Sequence, residues 1–206
     1  PPNLNERAER FPIMALLLTG TELLVVLFAF ITLLGDAWFL LGGLSICYWV
    51  GPRLDEDTRP AAATVIGVAT LALAAVLALK SYTAIPRPAA TPIDPVGLPG
   101  GLATFVAGEL DSAGFSLPSG HATSATAVYG GLGTVLTVGR RRLRYLAAGV
   151  VILLISSSRV ILQVHYVRDI VAGIALGAAL IAVSRWLAGT ESTPRVDRVF
   201  LCAGVV

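Results

Sequence analysis

Residues 61–80, "AAATVIGVATLALAAVLALK", run nineteen positions without a charge and end on Lys80. About 20 consecutive apolar residues are needed for a helix to cross the hydrocarbon core of a bilayer. The stretch therefore reads as a membrane-spanning helix with a cation at its mouth. Arg87 and Pro88 follow seven and eight residues later. Two cations beside an apolar span either snorkel to the interface or face a partner of opposite charge.

The rest of the chain fits a membrane setting. Of its 206 residues, 55% are hydrophobic and 14% charged, where a soluble domain carries about 25% charge. Further apolar segments occupy 11–34, 37–50, 121–139, 143–163 and 167–188. The expected fold is all-α: one domain, 1–206, built as an integral membrane bundle of six transmembrane helices. The 37–50 segment is short for a span. The first apolar run is too long for the core of a cleavable signal peptide. A net charge of +2 gives no reason to expect a nucleic-acid partner. Cys47 and Cys202 lie far apart in different surroundings and are expected to be unpaired thiols.

Basic residues set the orientation. With six spans, the N-terminus, the 51–60 and 140–144 loops and the C-terminal end share one face, which holds eleven of the fifteen Lys and Arg residues. That face is expected to be cytoplasmic, with both termini inside. The other face holds only Lys80, Arg87, Arg159 and Arg168. Trp38 at one end, and Tyr48, Trp49, Tyr145 and Trp186 at the other, suit interfacial belts. The Arg140–Arg144 cluster reads as a topology anchor.

Three stretches converge on the outer face: Lys80 to Pro88, "LPSGHATS" around Ser119, and "SRVILQVHYVRD" from Ser158 to Asp169. Lys80, Arg87 and Arg159 bring three positive charges to bear on one phosphoryl group; Arg matches phosphate oxygens bidentately and Lys acts as a point charge. Ser119 is a natural helix N-cap, and Gly120 lets backbone N–H groups approach an anion at the positive helix end. His165 and Asp169 are spaced i, i+4, so that on one helix face Asp169 can fix the imidazole tautomer and leave Nε2 free to attack. His121 can supply the proton a departing oxygen needs. Taken singly, each pair also reads as a structural hydrogen bond or cap. A metal site is disfavoured by the three cations and by the absence of a metal-binding spacing.

The blocks Lys80-x6-Arg87-Pro88, Pro118-Ser119-Gly120-His121 and Ser158-Arg159-x5-His165-x3-Asp169 resemble the three signature motifs of the type 2 phosphatidic acid phosphatase superfamily, in order and in internal spacing. The resemblance spans 80 to 169 and implies a six-helix membrane enzyme with an extracytoplasmic site. It implies His165 as the nucleophile of a phosphohistidine intermediate, with Asp169 orienting it and His121 serving the leaving oxygen. Lys80, Arg87, Ser119, Gly120 and Arg159 would bind the phosphate, and no metal or other cofactor is implied. The substrate would be a membrane lipid phosphate or diphosphate, isoprenoid or glycerolipid. Transfer of the phosphoryl group to an alcohol, or non-enzymatic binding or transport of an anionic lipid, are the alternative readings. The sequence does not indicate an oligomeric state.

Outside the motifs, the 89–117 loop is long enough to act as a lid and carries an apolar stretch near 101–110, expected to form a short interfacial helix. Glu22 is an intramembrane carboxylate, read as structural.

Overall fold

The computed structural model describes residues 20–53, 55–89, 98, 100–111, 113–188 and 196–205. The helices are α1 (Gly20–Leu33), α2 (Ala37–Val50), α3 (Thr58–Thr83), α4 (Gly100–Leu110), α5 (Gly120–Ala125), α6 (Gly131–Val135), α7 (Arg141–Ile161), α8 (Val167–Ala188) and α9 (Val196–Val205). A π-helical turn, Thr126–Gly130, joins α5 to α6 without interruption. No strand occurs among the described residues beyond one isolated bridge, Pro86 to Phe115. The fold is all-helical, as expected.

Among the described residues, three helices are long and apolar enough to cross a membrane: Thr58–Thr83, Arg141–Ile161 and Val167–Leu187. Their outer faces are those of a lipid-facing bundle. Leu146, Val150 and Leu153 on α7, Val171 and Val183 on α8, and Leu23, Leu27 and Phe30 on α1 are all exposed. A soluble protein rarely leaves so continuous an apolar surface uncovered.

The first two expected spans do not appear as separate crossings. Residues 11–19 of the first lie outside those described. The remainder, α1, joins α2 through a break bent by 47°. Val25 and Ala29 of α1 pack with Val106, Leu162 and Val164, at the end of the bundle that carries Arg159 and His165. Leu40 and Leu44 of α2 pack with Val65, Ala69 and Val128, flanked by Leu132 and Val135, toward the opposite end. The bent pair forms a broken span or a re-entrant segment, and the described helices do not establish six spans. Apolar run length alone could not show this, because both halves are equally greasy and the break is only three residues, Leu34, Gly35 and Asp36.

The α5–π–α6 segment lies at the centre, touching α2, α3, α7 and α8. Its small residues allow this. Ala122, Ala125 and Ala127 are fully buried, and small side chains let membrane helices approach closely. The closest approach is to α8. A Cβ on Gly173 would stand 2.7 Å from the Ser119 carbonyl oxygen and 3.0 Å from the Ala122 Cβ; one on Gly177 would stand 2.8 Å from the Thr123 oxygen. Gly173→Ala is expected to force α5 and α8 apart at about 1–3 kcal/mol. Gly149→Ala, with nothing within 4 Å of the new methyl, should be neutral. Thermal unfolding of the two variants in detergent tests this; equal melting temperatures would refute it.

The expected interfacial helix exists as α4, which packs against α1; Phe30 and Phe105 stack with centroids 4.9 Å apart. The other parts of that loop, 90–97, 99 and 112, lie outside the described residues. Glu22 sits in the first turn of α1. The Arg140–Arg144 cluster has a structural member: Arg144 donates to the carbonyls of Gly133, Thr137 and Gly139, closing the C-terminal end of α6. Cys47 and Cys202 are both free.

Candidate active site

Lys80 occupies the last turn of α3, which stops at Ala84 in a left-handed cap whose N–H bonds the Lys80 carbonyl. The next residues are tied to the segment before α5. Ser116 N–H donates to the Ile85 carbonyl at 2.8 Å, and the Thr83 hydroxyl donates to the Leu117 carbonyl at 2.9 Å. The first and second sequence blocks are thereby held side by side. Ser119 caps α5 as its sequence position predicts, accepting from the Ala122 N–H at a long 3.5 Å. Its own N–H donates to the Asp169 carbonyl at 3.0 Å, which joins the second block to the third.

The third block is organised differently from its sequence reading. His165 does not share a helix face with Asp169; α8 begins only at Val167. Between α7 and α8 the chain reverses through Gln163, whose φ is +59°, with the Val164 and His165 N–H groups both on the Arg159 carbonyl. Asp169 is the third residue of α8 and reaches back to the Tyr166 N–H at 2.9 Å. This is half of a capping box. The carboxylate is placed by its duty at the helix start, and His165 meets it from the turn, Nδ1 lying 3.4 Å from Asp169 Oδ2. Spacing of i, i+4 had the right pair for the wrong reason.

Ser116, which the sequence analysis passed over, completes this group. It is fully buried, donates a short hydrogen bond to Asp169 Oδ2 and lies 3.3 Å from His165 Nδ1. With Nδ1 turned to Asp169 and Ser116, Nε2 is the nitrogen available to a ligand. Burial, and after it the positive charges of Arg87, Lys80 and Arg159, depress the His165 pKa against the pull of Asp169. These effects favour the neutral imidazole, the form with a lone pair to give.

The cations converge as expected. Arg87 donates from Nη1 to the Asp111 carbonyl at 3.2 Å. Burial holds its pKa below the ordinary arginine value, with the Asp111 and Asp169 charges opposing; a guanidinium remains charged nonetheless. Arg159 is 4% exposed and donates from Nη1 to the Thr32 hydroxyl at 2.8 Å and to Glu109 Oε2 at 3.3 Å. The Nε atoms of Arg87 and Arg159 are buried without a partner among the described residues. Buried guanidinium donors without a partner are the kind of group that an oxyanion satisfies. Arg168, the fourth cation of this face, meets the group only from its exposed side: its Nε lies 3.7 Å from Asp169 Oδ1, and its guanidinium lies over the Tyr166 ring at 4.8 Å. At Gly120 a Cβ would meet only Val76 at 3.7 Å, so the protein itself has room for a side chain there.

Two acids were also missed. Glu109, on α4, pairs with Arg159; burial first, then the Asp36 charge, push its carboxyl pKa up, while Arg159 pulls it down. Asp36, at the α1–α2 break, takes His121 Nε2 at 2.8 Å. Asp36, Glu109 and His121 offer atoms within 4.8 Å of one another, a spacing open to a metal ion, but Glu109 and His121 already engage Arg159 and Asp36. No local pattern marks these acids, because each comes from a segment far in sequence from the motifs it meets.

A phosphatidylglycerophosphatase B of Bacillus subtilis (strain 168) is 38% identical over 72 residues, 32% of this chain and 36% of that protein. The chain thus aligns with about a third of that relative's length. No solved structure matches. The family model of the PAP2 superfamily matches residues 61–192, a range that carries every motif residue from Lys80 to Asp169, and by that match the chain belongs to the PAP2 superfamily.

Proposed function

We propose that this membrane phosphatase hydrolyses a lipid phosphate or diphosphate through a phosphohistidine on His165, at the extracytoplasmic face. The observation that supports it best is the buried His165, its Nδ1 backed by Asp169 and Ser116, with the charges of Arg87, Lys80 and Arg159 acting on it. In the first step His165 Nε2 forms a bond to phosphorus as the phosphorus–oxygen bond to the lipid breaks. The three cations, the Ser119 side chain and the Gly120 N–H hold the phosphoryl oxygens, and His121 gives a proton to the departing oxygen. In the second step water forms a bond to phosphorus, the nitrogen–phosphorus bond breaks, and His121 takes the proton from water. A single domain supplies all these residues, and none of the steps calls on a metal.

Among lipid phosphates, a glycerolipid such as phosphatidylglycerophosphate is favoured by the activity for which the Bacillus relative is named; an isoprenoid diphosphate is the competitor. The outward placement of the site rests on the basic residues at the opposite end of the bundle.

Purified protein with EDTA present is expected to release phosphate from phosphatidylglycerophosphate, phosphatidate or an isoprenyl phosphate. Rapid quenching should trap an acid-labile, base-stable phosphoenzyme, as a phosphoramidate bond requires. Release that needs an added divalent cation, or a wild-type protein with no trappable phosphoenzyme, would count against the proposal.

A further inference from the structure

The break between α1 and α2 carries Asp36 to His121. Asp36 Oδ1 lies 2.8 Å from His121 Nε2, and its other oxygen accepts from the Trp38 indole N–H at 3.1 Å. Gly35 packs against the same ring. A Cβ there would stand 3.0 Å from His121 Cδ2 and 2.6 Å from Ile155 Cγ2, so only glycine lets the backbone come this close. The Leu34 carbonyl is fastened in turn by the Tyr129 hydroxyl at 2.8 Å. The helix is thus interrupted where its interruption seats a carboxylate on one edge of an imidazole.

We propose that Asp36 is a positioning residue for proton transfer, forming with His121 a second Asp–His pair that mirrors Asp169–His165. The inference rests on the phosphohistidine reading above. The two pairs use opposite nitrogens. Asp169 lies at His165 Nδ1, which leaves Nε2 as nucleophile; Asp36 accepts from His121 Nε2–H, which leaves Nδ1 to carry the mobile proton. When His165 Nε2 bonds to phosphorus, the lipid oxygen leaves with the bonding electrons and takes the Nδ1 proton of His121. The imidazolium becomes a neutral imidazole whose Nε2–H stays on Asp36. Water then replaces nitrogen on phosphorus and returns its proton to Nδ1. A carboxylate that fixes the tautomer and stabilises the imidazolium is what a general acid requires. Lys80 and Arg159 face the same ring and oppose its positive charge, with Glu109 nearby; Asp36 supplies the counter-charge in direct contact.

The test is leaving-group dependence. An alkyl lipid oxygen cannot leave without a proton, whereas nitrophenolate can. For Asp36→Asn, kcat/KM for a phosphatidate should fall by about 10²- to 10³-fold and kcat/KM for p-nitrophenyl phosphate by less than about threefold, since kcat/KM reads the steps up to alcohol release. Equal losses on the two esters, or no loss on the lipid, would overturn the assignment of Asp36. Should Asp36→Asn fail to fold, Trp38→Phe removes only the bond to the far oxygen. It should show the same selective loss at a few-fold amplitude, and an equal effect on both esters again overturns the inference. A wild-type protein that forms no phosphoenzyme from either ester would instead remove the phosphohistidine reading, and this inference with it.

Discussion

His165→Ala is expected to lower phosphate release from any lipid phosphate by about 10⁴-fold or more, the loss seen when a nucleophile that acts as part of a unit is removed. The protein should remain folded. His165 lies in the turn between α7 and α8, and its backbone bond to the Arg159 carbonyl does not depend on the ring. Asp169→Asn should cost activity too, but also stability, because Asp169 caps α8 through the Tyr166 N–H and accepts from Ser116. The pH dependence separates His165 from its neighbours. Its pKa in the folded protein is depressed, chiefly by burial and then by Arg87, Lys80 and Arg159. Below the ordinary value near 6.5 the unfolded chain therefore binds a proton that the folded protein refuses, and stability falls as pH falls. A His165→Asn variant lacks this penalty. The melting-temperature advantage of wild type over it should shrink between pH 7 and pH 5; an advantage that grows would show that His165 is protonated in the fold.

What could be read from the sequence was what local pattern encodes. Apolar run length gave the long helices α3, α7 and α8. The cap at Ser119 and the short helix near 101–110 were legible because both depend on neighbours in sequence. The three cations and two histidines were legible because motif spacing carries them together. Ser116, Asp36 and Glu109 were not, since their partners lie 53, 85 and 50 residues away and none sits in a distinctive pattern. The bend between α1 and α2 was not legible for a related reason. Hydropathy reports that residues are greasy, whereas the direction of a chain after a break depends on what its ends pack against, here Leu162 and Val164 at one end and Val65 and Val128 at the other. The acids that were missed also change the electrostatics. Three cations this close repel one another, and the charges of Glu109 on Arg159 and of Asp169 on Lys80 and Arg87 offset that repulsion.

Arg159→Ala is the second large effect, and it should divide into two separable losses. The guanidinium is buried against Thr32 and Glu109, and its spare Nε faces no partner among the described residues. Removing it takes away a phosphate contact, with an expected fall in kcat/KM of about 10³-fold, the order of one strong donor to a reacting oxyanion. It also leaves Glu109, 14% exposed at its side chain, without its counter-charge, at about 3 kcal/mol where a buried pair is broken from one side. The carboxyl escapes part of that cost by taking a proton. Its pKa is already raised by burial and by Asp36, and loss of Arg159 removes the charge that pulls it down. A carboxyl whose folded pKa lies above its unfolded value loses stability as pH rises, so the variant should be least destabilised in mild acid and most at pH 8. Adding Glu109→Gln removes the stranded charge. The double variant Arg159→Ala/Glu109→Gln should recover most of the melting temperature, lose the pH dependence and remain as inactive as the single one. Recovery of activity along with stability would mean that Arg159 serves the fold and not the phosphate. Failure to recover stability would mean that Thr32 and packing, rather than Glu109, account for the burial of Arg159.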